Sequence, residues 1–596
     1  MKRSVSASEI DAARASGPLE DPCSVAPALH RVRSVADAVV TCLVQLGVRH
    51  AFGLNGRALA PFMDAMLESP LEVVHTRHES GAAFSALEAS LVTDRPTLVF
   101  TTTGPGITNA LTGLMAARWE GGRVILVSPA TSAAQRGRGA FQETSPHTLP
   151  PTLFTAGTVF HEAVVLESPE ALESVSRRFA TGLTRTGGFV AHLCLPVSVQ
   201  LTPWPDAPWV APVEISVPRC GSAEVRQVAA SLEGGRSVIW AGFGARHSQG
   251  ALVRVAERLQ APVMATPRAK GTFPERHPLY LGVTGLGGDG HLAATVEALA
   301  PDYLLVLGTR LGEYSSLWAP ALRPKRGMIA VDVQLGDHGA AFQDVPLWGV
   351  QSEVRAFLTS LERRLSTRMK WDDEPTPRVA HPVLTRVEPR SASARGVHPA
   401  ELMEAIQFRL VDRSDAIIFT EAGNAFAWGS QALRFDQPRR YRTSMGWGSM
   451  GAAATGVIGA ALARQGKAVA VLGDGAMLMQ NEVSTAVAHH LPVVWIVLND
   501  GQYGMVHHGM SAHDLHTGES RFPEANFWLY ARSVGCDGVR VVEERQLDGA
   551  LSQALDAKGP FVVDVVVDPT VPPPLITRVA SQDPSDPGED DSGVAS

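Results

Sequence analysis

Two short apolar runs that end in acidic glycine turns constrain this chain more than any other feature. Val469-Ala470-Val471-Leu472 runs into Gly473-Asp474-Gly475, and Trp495-Ile496-Val497-Leu498 runs into Asn499-Asp500-Gly501. A helix-forming stretch lies between them, so the runs read as parallel strands of one α/β unit. Both carboxylates then leave the carboxyl ends of strands, where open α/β sheets bind ligands. The glycines let backbone approach a phosphate, and two hard oxygen donors suit a cation that keeps some of its waters. The pattern reads as magnesium holding a diphosphate at a helix start.

Composition bounds the rest. At 596 residues the chain exceeds one hydrophobic core and suggests about three to four domains. A net charge of -8 gives no basic footprint for nucleic acid. The five cysteines (Cys23, Cys42, Cys194, Cys220 and Cys536) lack the spacing of a zinc site or a disulfide framework. No apolar run is long enough to span a membrane, and Lys2 and Arg3 are not followed by the apolar segment of a secretory signal. These features predict a cytoplasmic multidomain enzyme.

Three blocks alternate buried strands with helical patterns, which predicts an α/β fold of three doubly wound parallel-sheet domains. A polar arm (1–30) precedes the first block (31–202), whose expected strands are Thr97–Phe100, Val124–Val127 and Phe189–Leu195. The second block (203–370) opens on a proline-rich stretch and holds Ser237–Ala241, Tyr303–Leu307 and Met328–Val333. A linker (371–396) leads to the third (397–570), with Ala416–Thr420, Ala468–Leu472, Val493–Leu498 and Phe561–Val567. Residues 571–596 are proline-rich and then acidic, the composition of a disordered tail.

Several further segments invite a chemical reading beside a plain one. Glu79, in Arg77-His78-Glu79-Ser80-Gly81-Ala82-Ala83, falls where a helix should begin, and a first-turn acid by itself only complements the helix dipole. Thr103-Gly104-Pro105-Gly106 reads as a tight strand-to-helix turn with exposed backbone donors. Ser444-Met445-Gly446-Trp447-Gly448-Ser449-Met450-Gly451 precedes an Ala/Gly-rich helix, and a methionine between glycines is ordinarily core filler.

Taken in order, these elements resemble the decarboxylase/carboligase branch of thiamine-diphosphate enzymes, and within it the acetolactate (acetohydroxyacid) synthase-like group. Gly-Asp-Gly followed about two dozen residues later by Asn-Asp matches the cofactor signature. Gly139-Ala140-Phe141-Gln142-Glu143 and Lys270-Gly271-Thr272-Phe273-Pro274-Glu275 add to it, and the likeness extends from about Arg33 to Pro569. The resemblance implies pyrimidine-binding, central and diphosphate-binding domains, with active sites between subunits of a homodimer or homotetramer. It implies that Glu79 meets N1′ of the aminopyrimidine and favours the tautomer that removes the thiazolium C2 proton. Met450 becomes the wedge beneath the cofactor, the Gly448 carbonyl an acceptor for its amino group, and Phe141 and Gln142 the substrate end. Magnesium falls to Asp474, the Asp500 side chain and the Gln502 carbonyl. Gly473, Gly475, Ala476 and Met477 offer donors to the diphosphate, and Asn424 joins the cofactor contacts.

Departures from the family pattern shape the substrate reading. Asp500 stands where asparagine is commonest, Leu54-Asn55-Gly56-Arg57 replaces a Pro-Gly turn, and Phe84 stands where acetolactate synthases have histidine. His507-His508 follows the metal motif, and neutral imidazoles there suit proton transfer or simple packing. Gly308-Thr309-Arg310-Leu311-Gly312-Glu313 lacks the Arg-Phe-Asp-Asp run of flavin-dependent synthases, which argues against bound FAD. Together the changes suggest a larger or more apolar acyl substrate than pyruvate. The expected reaction is decarboxylation of a 2-oxo acid and ligation of the acyl carbanion to a second carbonyl compound. The alternatives are a decarboxylase that releases an aldehyde and a non-catalytic regulatory homologue. An oxidoreductase reading from Trp240-Ala241-Gly242-Phe243-Gly244-Ala245 fails for want of the full GxGxxG and a ribose-binding acid.

Overall fold

The computed structural model describes residues 34–204, 208–336, 338–366 and 395–574. The expected arm, nearly all of the 371–396 linker and most of the tail lie outside these residues. The described chain forms three six-stranded sheets whose paired strands are all parallel. The first holds β1 (His50–Gly53), β2 (Glu72–His75), β3 (Thr97–Phe100), β4 (Arg123–Ala130), β5 (Glu162–Val165) and β6 (Phe189–Pro196), in the order β2-β1-β3-β4-β6-β5. The second holds β7 (Ser237–Ala241), β8 (Val263–Ala265), β9 (Tyr280–Val283), β10 (Tyr303–Leu307), β11 (Gly327–Asp332) and β12 (Leu347–Gln351), ordered β12-β11-β10-β7-β8-β9. The third holds β13 (Ile417–Thr420), β14 (Tyr441–Thr443), β15 (Ala468–Gly473), β16 (Val493–Asn499), β17 (Asp537–Val541) and β18 (Phe561–Val566), ordered β14-β13-β15-β16-β18-β17.

Renumbered within their own domains, the first and third sheets have one and the same strand order. The middle sheet follows the other doubly wound order, in which a ligand crevice opens where strand order reverses. Here that point lies between β7 and β10, and Gly244 N–H donates to Gly308 O at 3.0 Å across it. A Cβ at Gly242 would stand 2.4 Å from the Gly308 carbonyl oxygen. Backbone therefore fills the crevice at this level.

Six helices position the site: α1 (Glu79–Thr93), α2 (Pro105–Glu120), α3 (Asn424–Ala432), α4 (Ala452–Arg464), α5 (Asp474–Leu478) and α6 (Gly504–Ser511). α1 and α4 are built from small residues, so their backbones nearly touch. A Cβ at Gly459 would lie 1.9 Å from the Ser85 carbonyl oxygen, and one at Gly456 would lie 2.8 Å from Glu88 Cγ. The Ser85 hydroxyl donates to Thr455 O at 2.9 Å, and a buried Glu88–Arg442 pair closes at 2.8 and 3.0 Å beside it. The pairings of 459 with 85 and 456 with 88 make the two helices antiparallel. One hydrophobic cluster runs through the contact, joining Phe84 and Leu87 of the first domain to Val457 and Trp495 of the third.

Candidate active site

The two acidic glycine turns meet as their strand positions require. β15 and β16 are neighbours, and Asp474 and Asp500 stand at their carboxyl ends. Asp474 Oδ2 accepts the N–H groups of Gly501 (2.7 Å) and Asp500 (3.2 Å), while Oδ1 accepts that of Gly475 (2.8 Å). Burial pushes the Asp474 carboxyl up to about 6 in spite of these donors. Asp500 is pushed up to about 7, first by burial and then by the charge of Asp474. Two carboxyl groups raised in this way form a site short of positive charge.

Neighbouring residues complete a cradle. A Cβ at Gly504 would fall 2.3 Å from Asn424 Nδ2 and 2.8 Å from Asp500 Oδ2, so only glycine lets these two side chains converge. Asn424 Oδ1 is buried without a hydrogen-bond partner. Gln502 pairs with Arg521 across an antiparallel bridge whose hydrogen bonds are made by the residues either side, Tyr503 N–H to Ser520 O and Phe522 N–H to Gly501 O. The Gln502 N–H and carbonyl therefore point away from that partner. Its side-chain amide reaches Asp500 Oδ2 at 3.4 Å. Gly473 opens on free space, whereas a Cβ at Gly475 would strike the Tyr503 ring at 2.7 Å. Ala476 and Met477 are buried in the one-turn helix α5 behind them. Among the described residues no group of three or more His, Cys, Asp or Glu side chains assembles for a metal. Two carboxylates and an amide carbonyl are hard donors that a dication accepts when its ligand brings further oxygens, as a diphosphate does. The residues present thus fit a magnesium diphosphate.

The turn from Ser444 to Gly451 flanks the same site. Gly448 and Gly451 adopt φ of +70° and +91°, the left-handed region that favours glycine. The fully buried Glu421, just past β13, holds the turn by accepting N–H from Gly451, Ala453 and Ala454 at 3.0–3.1 Å. Burial raises its carboxyl to about 7. Met450 is left 37% exposed, so it is not core filler, and the Ser449 hydroxyl is buried without a partner.

The residues expected from the first domain assemble elsewhere. Glu79 opens α1, capped by the His78 ring, which accepts Ser80 N–H at 3.2 Å. Its Oε2 accepts from Asn109 Nδ2 at 3.0 Å, and its Oε1 would stand 3.3 Å from a Cβ at Gly106. Gln142, at φ +50°, accepts the Thr103 hydroxyl at 3.0 Å and lines the same turn, while Phe141 is 90% exposed. Because α1 and α4 are antiparallel, Glu79 and Met450 lie toward opposite ends of the helix pair, about 20 Å apart at 1.5 Å per residue. One chain therefore carries two candidate half-sites that do not face each other.

Arg57 begins a one-turn helix and is exposed. His507 Nδ1 lies 2.9 Å from Ser520 Oγ, and burial lowers both His507 and His508. Sequence reasoning missed Asn109, Glu421 and Glu482. Asn109 was legible as an amide in the first turns after Thr-Gly-Pro-Gly. Glu482 accepts N–H from Arg77 and His78 at 2.9 and 3.0 Å across 405 and 404 residues, and nothing local marks that contact.

Comparison with known proteins agrees with this architecture. Family models described as thiamine pyrophosphate enzyme match throughout: the N-terminal TPP binding domain over residues 33–149, the central domain over 225–361 and the C-terminal TPP binding domain over 421–565. The probable acetolactate synthase large subunit of Methanocaldococcus jannaschii is 28% identical over 569 residues, covering 91% of this chain and 93% of the relative. The acetolactate synthase isozyme 2 large subunit of Escherichia coli is 26% identical over 90% of this chain and 97% of its own. A sulfoacetaldehyde acetyltransferase of Castellaniella defragrans is 28% identical over 88% and 90%. A solved structure of a putative thiamin diphosphate-dependent enzyme from Mycobacterium smegmatis shares the fold, with a TM-score of 0.76 at 20% identity over 90% of this chain and all of the other.

Proposed function

The chain belongs to the thiamine pyrophosphate enzymes, in their acetolactate synthase-like group, and from that premise we propose that it decarboxylates a 2-oxo acid and ligates the acyl unit to a second carbonyl compound. The observation that carries the reading is the joint retention of a Glu79 carboxyl held by Asn109 and a two-carboxylate cradle at Asp474 and Asp500. A binding subunit needs the second of these and has no use for the first.

Bound thiamine diphosphate supplies the electron sink that accepts the electrons left behind by carbon dioxide. The chain's own residues bind, orient and move protons. Asp474, Asp500 and the Gln502 carbonyl would hold magnesium, and Asn424 Oδ1 and the backbone of Gly473 to Met477 would serve the diphosphate. Met450 shapes the floor, and Glu421 holds the turn that presents Met450 and the Gly448 carbonyl. Glu79 holds and returns a proton at its carboxyl, with Asn109 fixing its orientation. Phe141 and Gln142 stand where substrate enters. A second copy of the chain brings Glu79 to the cradle of the first, since one chain keeps them apart.

The test is to supply purified protein with thiamine diphosphate, magnesium and a panel of aliphatic and aromatic 2-oxo acids, following carbon dioxide and organic products together by mass spectrometry. Cofactor-dependent carbon dioxide with a hydroxyketone product, abolished in Glu79→Ala, is the expected result. Aldehyde alone would move the chain to the decarboxylases. Identical behaviour of wild type and Glu79→Ala on every acid would remove the catalytic reading. The acetyltransferase name of one relative makes acyl transfer a further product class to assay.

A further inference from the structure

A cavity outside the half-sites lies where all three domains meet, and arginine dominates its wall. It encloses about 270 Å³ and is lined by Arg246 of the middle domain and Arg439, Arg440, Arg442 and Arg464 of the third. Leu91 and Val92, at the carboxyl end of α1, supply the first domain's wall. This is the end of α1 opposite Glu79.

Three carboxylates answer these five guanidinium groups. Asp94 pairs with Arg439 at 3.1 Å and with Arg246 at a loose 3.5 Å. Glu88 is committed to Arg442 at 2.8 Å and Asp415 to Arg464 at 3.1 Å. Arg440 donates to the Val411 and Ala416 carbonyls. A sixth arginine, Arg268, stands behind the wall and pairs with Glu120 at 2.7 Å; Arg246 and Arg268 lie 4.3 and 4.0 Å from the centroid of the Phe243 ring. The Nε atoms of both are buried with no hydrogen-bond partner. Of the two, Arg246 lines the cavity, and leaving a charged donor buried and unsatisfied there is costly unless something supplies an acceptor. Burial brings Arg246 down to about 10 against the opposing pull of Asp94, and the neighbouring Arg268, Arg439 and Arg442 add to the fall.

We propose that this cavity binds one small oxyanion, a carboxylate or a phosphate, which clasps the three domains together. Guanidinium forks match the planar carboxylate and the phosphate edge, and the volume admits a compact metabolite. Asp94 is the internal anion that such a ligand competes with. An exposed salt link would have no such competition, so the sign of the Asp94 effect separates a ligand site from a structural cluster.

The experiment uses the full chain saturated with thiamine diphosphate and magnesium, so the diphosphate cradle is filled. Inorganic phosphate and succinate are titrated separately by calorimetry in chloride buffer, and the thermal midpoint is recorded with each. Saturable binding of one anion per chain with a raised midpoint is expected for at least one probe. Binding of phosphate alone assigns a phosphate-bearing ligand, and of succinate alone a carboxylic acid. Arg246→Gln should weaken binding about tenfold, the worth of one charged hydrogen bond. Asp94→Asn should tighten it, about threefold or more by the same scale. Arg464→Gln serves as the second weakening variant if Arg246→Gln does not fold. Absence of binding by both probes overturns the proposal. So does an affinity that ignores the arginine substitutions, or one that falls in Asp94→Asn.

Discussion

Asp500 changes the electrostatics of the proposed metal cradle, because it adds a second carboxylate beside Asp474 where an asparagine would be neutral. Burial raises both, Asp474 to about 6 and Asp500 to about 7, and the charge of Asp474 adds to the rise of Asp500. Protons and the cation therefore compete for one site, and the apparent magnesium affinity should rise with pH through 6 to 7. Asp500→Asn should flatten most of that rise, which magnesium titrations of cofactor binding at pH 5.5, 6.5 and 7.5 would reveal. The sign for stability without magnesium runs the other way. Both carboxyl groups titrate above their unfolded values, so the folded state gains from protonation below about pH 4 and loses that gain as pH climbs through the raised values. The magnesium-free protein should lose on the order of a few kcal/mol between pH 5 and 8, less in Asp500→Asn. Denaturant midpoints across that range, with and without magnesium and cofactor, would check it, and an unchanged midpoint would refute the shared-site reading.

Between elements, the decisive contact is that of α1 on α4. Gly459 has no room for a Cβ beneath the Ser85 carbonyl, so Gly459→Ala should force the helices apart and cost about 1–3 kcal/mol. Gly549, in the helix Leu547–Asp556, faces open space, and Gly549→Ala should be neutral or stabilise by about 0.5–1 kcal/mol. A pair of denaturation curves decides the matter. This close packing also shows where sequence reading stops. The buried strands were legible: Thr97–Phe100, Ser237–Ala241 and Tyr303–Leu307 fall at the expected bounds, and β4, β6, β11, β13, β15, β16 and β18 within a few residues. Central strands of parallel sheets are apolar on both faces and read as continuous runs. The strands not foreseen are β1, β2, β5, β8, β9, β12, β14 and β17, and six of these are sheet edges. β12 buries only Val350 of its five residues, and β17 only Val541. A strand with one side to solvent leaves little apolar signal, and β8 and β14 are three residues long. The candidate site was legible where a local motif marks it, at the strand ends of Asp474 and Asp500 and at the helix start of Glu79. Glu421 was not, because its partners lie 30 or more residues away in a turn whose shape only the fold creates.

At the scale of the whole molecule, the two half-sites point to assembly. The first and third sheets share a strand order and pack through α1 and α4, which sets Glu79 and Met450 toward opposite ends of the helix pair. Apolar groups near each half-site stand uncovered in one chain, with Phe141 at 90%, Val506 at 53% and Tyr503 at 42% exposure. If two copies complete one another, Glu79→Ala and Asp474→Ala chains are each inactive but complementary. In a mixed dimer, one site inherits both defects and the other inherits neither. Random reassortment at equal amounts makes half the dimers mixed, so activity should return to about a quarter of the wild-type value. The two inactive variants are mixed under conditions that exchange subunits, and cofactor-dependent carbon dioxide release is measured against each alone. Sites built within single chains would leave the mixture as inactive as its components. Recovery near a quarter also separates a dimeric unit from simple contamination, because the yield must follow the product of the two mole fractions as their ratio is varied.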